Sequence, residues 1–145
     1  MTTKRTGTPW MASDAYGKTL AGLSLNLIVR DVAASVPFYR DMLGMNVHYA
    51  DLDMAALQLD TTQIVLHADH TYDKQPWAVR LAAAGKRGLG AEIRILRIDP
   101  DAAERRATDR GATVLVGARD WPHGWRDVLL EDPDGYTFAV GMPLP

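Results

Sequence analysis

The chain contains no cysteine, which removes disulfides, thiolate nucleophiles and zinc-thiolate sites from consideration and fits a reducing compartment. It has no excess of basic charge. Sixteen Lys and Arg stand against 18 Asp and Glu in 145 residues, a formal net charge of −2. A general nucleic-acid binder needs cationic surface to neutralise phosphates, so that class is set aside. No apolar run approaches bilayer-spanning length. The first twenty residues include Lys4 and Arg5 but no apolar stretch of signal-peptide length. The expectation is a cytoplasmic protein that engages neither membrane nor nucleic acid. Other chemistries also lack their signatures. Gly85-Lys-Arg-Gly88 has neither the Walker spacing nor the hydroxyl after Lys. Ser13, Ser24 and Ser35 occupy no nucleophile-elbow context.

What is present reads as one ordinary folded domain. Hydrophobic residues make up 47% and charged residues 23% of the chain, values that argue against disorder. Residues 1–19 are polar and small apart from Trp10, Met11 and Tyr16, and are expected to form an arm. Its large apolar groups need somewhere to pack. A partner subunit would serve, and a solvated arm is the alternative.

From there the residues spell an order of elements. Leu23, Leu25, Leu27 and Val29 alternate as one apolar strand face, leaving Ser24 and Asn26 on the other. Asp31 stands at a helix N-cap position, with a helix expected over 33–43 and Gly44 as its stop. Pro37 is placed in the first turns, where proline does least harm. Strands are expected over 46–50, 54–59 and 63–67, joined by polar turns. The second half repeats this order: a strand over 92–98, a helix over 101–110 ended by Gly111, and strands over 113–116, 125–130 and 137–140. Gly44 and Gly111 both follow the helix of their half, and Val47 and Val114 follow at the same offset. A sequence repeat of this kind reports architecture better than any single element. Module one thus spans about 22–67 and module two about 90–142, with a linker at 68–89 holding one short helix.

The stretches Leu27-Ile-Val-Arg-Asp-Val32 and Phe38-Tyr-Arg-Asp-Met-Leu-Gly-Met45, with Glu131-Asp-Pro-Asp-Gly-Tyr-Thr-Phe138 and Gly124-Trp-Arg126, resemble the vicinal oxygen chelate superfamily. That group includes glyoxalases, extradiol dioxygenases and bleomycin-resistance proteins, and the last are closest in pattern. The resemblance spans about residues 20–143. It implies an α+β fold of two βαβββ modules, forming a curved mixed sheet around a concave pocket that is often completed in a homodimer. Function stays open, since one scaffold hosts many chemistries.

Metal-dependent members place a ligand on each of four strands, where hard oxygen and imidazole donors converge on one divalent ion. The corresponding positions here are Ser24, Val65, Glu92 and Ala139, so the resemblance implies no metal at the family's site. The alternative is a relocated divalent ion near His67, Glu92 and His123, serving a lyase, isomerase or dioxygenase-like enzyme. Parity places Ser24, Asn26, His67, Glu92 and Arg94 on the concave side, with Glu92 and Arg94 either a structural ion pair or a ligand handle. Trp77, Trp121, His123 and Trp125 are expected at the pocket mouth, because rigid rings with one polar tip make effective walls for planar ligands. His48 reads as a surface residue, and Glu104-Arg105-Arg106 as a solvated helix face. The functional expectation is a metal-independent protein that sequesters or senses an aromatic or cationic metabolite.

Overall fold

A computed structural model describes residues 7–145. Among these residues, eight strands form two four-stranded sheets of the same order. β1 (Leu25–Val29), β2 (Asn46–Ala50), β3 (Met54–Leu59) and β4 (Thr62–Ala68) make the first, in the order β1-β4-β3-β2. β5 (Glu92–Leu96), β6 (Thr113–Asp120), β7 (Trp125–Glu131) and β8 (Thr137–Pro143) make the second, in the order β5-β8-β7-β6. In each sheet the first strand runs parallel to the fourth and the remaining pairs are antiparallel. The chain is therefore a repeated βαβββ unit of α+β class, with each sheet hydrogen-bonded within its own half.

Contacts divide the chain into two compact units. One holds the chain up to Arg40 with residues 44–83, and the other holds Asp41–Leu43 with Ala84–Pro145. In the first unit, α2 (Val32–Pro37) starts at Asp31, whose side chain accepts from the Ala34 N–H at 3.1 Å. The expected α-helix to residue 43 does not run through. Pro37 is the last α-helical residue, and Phe38–Met42 continue as a π-helical turn. Proline has no N–H to give and its ring crowds the carbonyl four residues back, so the helix widens there. Gly44 and Gly111 end their helical segments at φ +73° and +68°, a region that only glycine enters without strain. Leu27, Val29, Val36 and Leu43 are buried. Leu23 is not part of that apolar face: it lies ahead of β1 and is 91% exposed. The ladder begins only where Leu25 meets Ile64, so Leu23 has no strand to hold it.

In the second unit, α4 (Pro100–Asp109) is capped by Asp99, which accepts from the N–H groups of Asp101 and Ala102. Its Ala103 and Ala107 are fully buried, as are Val128, Leu130, Phe138 and Val140 of β7 and β8. Such burial stabilises by roughly 1.5–3 kcal/mol for each large side chain. The run Glu104–Arg106 is not a solvated face. Glu104 accepts from the Ala118 N–H at 2.8 Å and Arg106 donates to the Met42 carbonyl at 2.9 Å; only Arg105 of the three is exposed. The linker holds a 3₁₀ turn at Asp69–Tyr72 and α3 (Ala78–Ala83).

Residues 1–6 of the arm lie outside the described residues; the rest of it includes α1 (Ser13–Thr19). The Tyr16 hydroxyl donates to Gln63 Oε1 at 2.7 Å. Trp10 meets Tyr16 edge-on at 5.1 Å and also touches the rings of His48 and Tyr49. A bulge between Val47 and Tyr49 breaks the alternation of β2, which lets both rings reach the same indole. The arm's aromatic groups thus find their packing partners within the first unit.

Candidate functional site

The residues expected to form the site fall into two groups, one in each unit. In the first unit, a cavity of about 330 Å³ lies between the arm and the sheet face that carries Asn26, Val65 and His67. Trp10, Met11, Tyr16 and Leu20 wall it from the arm side, and Asp53, Met54 and Tyr72 complete its rim. Register accounts for the grouping: Asn26 pairs with Val65, and Met54 with His67, so these side chains share one face of adjacent strands. Tyr72 links them. Its ring lies 5.0 Å from His67 and 5.6 Å from Trp77, and its hydroxyl is 3.4 Å from Asn26 Nδ2. Burial pushes the His67 pKa down, so the imidazole is neutral near pH 7.

Asp51 and Asp53 lie in the β2–β3 turn and play different parts. Asp51 Oδ1 accepts from the N–H groups of Asp53 and Met54, and Oδ2 from the Tyr49 hydroxyl. Partial burial pushes its pKa up, but the hydrogen bonds from Tyr49 and the backbone outweigh that and hold it below the usual carboxylate range. Asp53 is almost fully buried at 2% exposure. Its Oδ1 accepts from His70 Nε2 at 2.6 Å, while Oδ2 has no hydrogen-bond partner among the described residues. A buried carboxylate oxygen left without a donor is costly. Sequence reasoning passed over Asp53 as one more polar turn residue. The only signal was the turn Asp51-Leu52-Asp53, in which a large apolar residue stands between two carboxylates.

In the second unit, Arg94, Trp121, His123 and Trp125 gather around a residue the sequence reading did not single out, Asp127. Asp127 Oδ2 lies 3.3 Å from Arg94 Nη2 and 3.5 Å from His123 Nε2. The Arg94 guanidinium sits 4.9 Å from the centre of the Trp125 ring, and Arg119 lies 3.9 Å over Trp121. Trp121 and His123 are parallel at 6.4 Å. Asp127 reaches this position because it pairs with Gly141: a Cβ there would meet Asp127 Oδ1 at 1.8 Å. The Arg94 partner is therefore Asp127 rather than Glu92, which is exposed on β5. Asp127 Oδ1 also has no hydrogen-bond partner among the described residues. Ser24 is exposed ahead of β1, and Trp77 stacks on Tyr72 outside the cavity lining.

Two βαβββ units with one strand order, and a match to the glyoxalase-like domain over residues 24–141, decide the family. The chain belongs to the glyoxalase-like domain family. An uncharacterized protein of Mycobacterium tuberculosis is 25% identical over 150 residues, covering 92% of this chain and 84% of that one. Among solved structures, a glyoxalase-related enzyme from Fulvimarina pelagi superposes with a TM-score of 0.68 at 17% identity, covering 84% of this chain and 87% of that one. A glyoxalase/bleomycin resistance protein/dioxygenase from Nocardioides gives 0.65 at 20% identity, over 90% and 92% of the two chains. Lactoylglutathione lyase from Agrobacterium tumefaciens gives 0.63 at 20% identity, over 84% and 92%. At these identities the likeness is one of fold.

The family's metal-ligand positions can be tested on donor chemistry. Val65 and Ala139 are apolar and buried, at 3% and 2% exposure, and have no lone pair to offer. With Ser24 outside β1, only Glu92 of the four positions is a strong ligand type. These residues do not fit the four-ligand site. Among the described residues, no group of three His, Asp or Glu side chains is placed to hold a metal ion.

Proposed function

We propose that this protein binds a small aromatic or cationic metabolite in the first-unit cavity, sequestering or sensing it without a metal ion. The observation that carries the reading is the cavity itself: about 330 Å³, walled by aromatic rings and lined by Asn26, His67 and Asp53. Sites for small molecules combine such apolar walls with a few fixed polar groups. The donor chemistry at Val65 and Ala139 supports the metal-independent part. A reducing, cytoplasmic setting accords with the absence of cysteine. The exposed side chains Leu23, Val79 and Leu89 favour a homodimer that covers some of them.

The test is a tryptophan-quenching screen of aromatic and cationic metabolites on protein purified without chelator, with elemental analysis of the same sample. A ligand is expected whose affinity drops about tenfold or more, about 1.4 kcal/mol, in Val65→Phe, whose ring takes up the cavity space the ligand needs. Metal should be sub-stoichiometric. One tightly held Zn, Ni, Fe or Mn per chain that is lost with His67, Glu92 or His123 would favour the relocated-metal enzyme instead.

A further inference from the structure

The charged groups of the first-unit cavity are turned to the protein, and the polar groups left open in it are neutral. Asp51 accepts from the N–H groups of Asp53 and Met54 and from the Tyr49 hydroxyl. Asp53 accepts from His70 at Oδ1, and its Oδ2 is fully buried. No Lys or Arg is among the described lining residues. His67 is the opposite case. Its ring meets Tyr72 at 5.0 Å, yet neither ring nitrogen has a hydrogen-bond partner among the described residues. Neither nitrogen is fully buried, and the residue lines the cavity. Burial keeps the imidazole neutral near pH 7, so it holds one donor and one acceptor. Asn26 donates to the Tyr72 hydroxyl over 3.4 Å, and its Oδ1 has no donor among the described residues. Register puts the two on one sheet face: Asn26 lies beside Val65, and His67 is two residues further along β4.

Resting on the small-molecule reading above, we infer that this cavity takes an uncharged aromatic ligand with an amide-like edge, a carbonyl oxygen beside an N–H. Asn26 and His67 read that edge, and the rings of Trp10, Tyr16 and Tyr72 hold the flat body. Each of the two polar side chains can both give and accept a hydrogen bond, so each matches an edge that carries one of each. The bond from Asn26 to Tyr72 is longer than the usual 3.0 Å or so, so the amide can turn to a ligand at little cost. Charged ligands fare worse. A cation would shed its water in a cavity whose carboxylates are already engaged by the protein. An anion would do so where no cationic side chain lines the wall, with Asp51 and Asp53 nearby.

The full chain is titrated by NMR with benzamide, acetophenone, benzoate and benzamidinium, four flat probes of nearly one size. Acetophenone keeps the carbonyl of benzamide but has no N–H, and the other two carry a charge. Benzamide should bind about fivefold or more tightly than acetophenone, the step expected of one ordinary hydrogen bond. It should exceed benzoate and benzamidinium by about tenfold or more, with shifts centred on residues 26, 65–67 and 72. His67→Phe, which keeps a ring against Tyr72, and Asn26→Ala should each remove most of the benzamide advantage while acetophenone still binds. A preference for benzamidinium or benzoate, or equal affinity for benzamide and acetophenone, would overturn the inference and leave a small-molecule cavity in place. If all four probes fail while another screened metabolite binds and is lost in Val65→Phe, the amide-edge assignment alone falls. If nothing in the wider screen binds, the cavity reading falls with it.

Discussion

His67 loses water on folding without gaining a charged partner, and desolvation alone lowers its pKa from the ordinary 6.5. The unfolded chain then takes up a proton at a pH where the folded chain does not. Stability should fall as pH drops through about 6.5, with the loss complete once pH lies below the folded value. Above that window the contribution vanishes. Urea titrations between about pH 5 and 7.5 should show this slope, and His67→Gln should flatten it. Parallel profiles for the two proteins would show that His67 is not desolvated as described. Asp51 works in the opposite sense and lower down. Its stabilisation is present above the unfolded carboxylate value and is lost as pH falls through its depressed folded value. Strand parity was enough to place His67 and Asn26 on one face. It was not enough to find Asp53 or Asp127, because an aspartate beside a turn or a Gly-Trp-Arg motif is solvated by default. Burial of either depends on what a distant strand brings over it. For Asp127 that is the missing side chain of Gly141.

Elements were legible where period and punctuation agreed, as at β2 and β3, whose observed bounds coincide with the expected ones. They were less so where glycine or charge interrupts a strand. β6 and β8 run on to Asp120 and Pro143 because each ladder continues past Gly117 and Gly141, which the residue pattern alone treats as breaks. The Gly85–Gly88 segment shows the same point from the side of a loop. Arg87 N–H donates to the Asp134 carbonyl at 2.9 Å, Gly88 N–H donates to the Gly135 carbonyl at 3.2 Å, and Lys86 pairs with Glu131. A Cβ on Gly88 would lie 2.5 Å from Tyr136 Cα and 2.7 Å from the Gly135 carbonyl oxygen, both backbone atoms. Gly88→Ala should therefore lower stability by about 1–3 kcal/mol, as overpacking does. Gly85→Ala, whose Cβ would meet nothing within 4 Å, is the control and should be near neutral. Equal melting temperatures for the two variants would contradict the docked linker.

At the scale of the whole molecule, the arm is the main departure from expectation. Trp10 and Tyr16 pack on the first unit of their own chain, so the proposed dimer is expected to use exposed side chains such as Leu23, Val79 and Leu89 instead. Light scattering at about 10 μM should give twice the 15.9 kDa chain mass, since a stable interface buries roughly 1,200 Å² or more. A clean monomer mass would retire the homodimer. Removing the arm should open the cavity without changing the oligomeric state.

The repeat, the order of elements and the family are properties of local residue choice: apolar periods of two, aspartate caps, glycine stops and a proline-bounded turn. Each acts over a few residues, so each can be read from the chain directly. Which carboxylates lose their water, which carboxylate Arg94 and His123 meet, and what covers the face of the first sheet depend on strands and an arm far apart in sequence. Those are set by pairing register and by close approach at positions such as Gly141. They became visible only once Asn26 stood beside Val65 and Asp127 stood opposite Gly141.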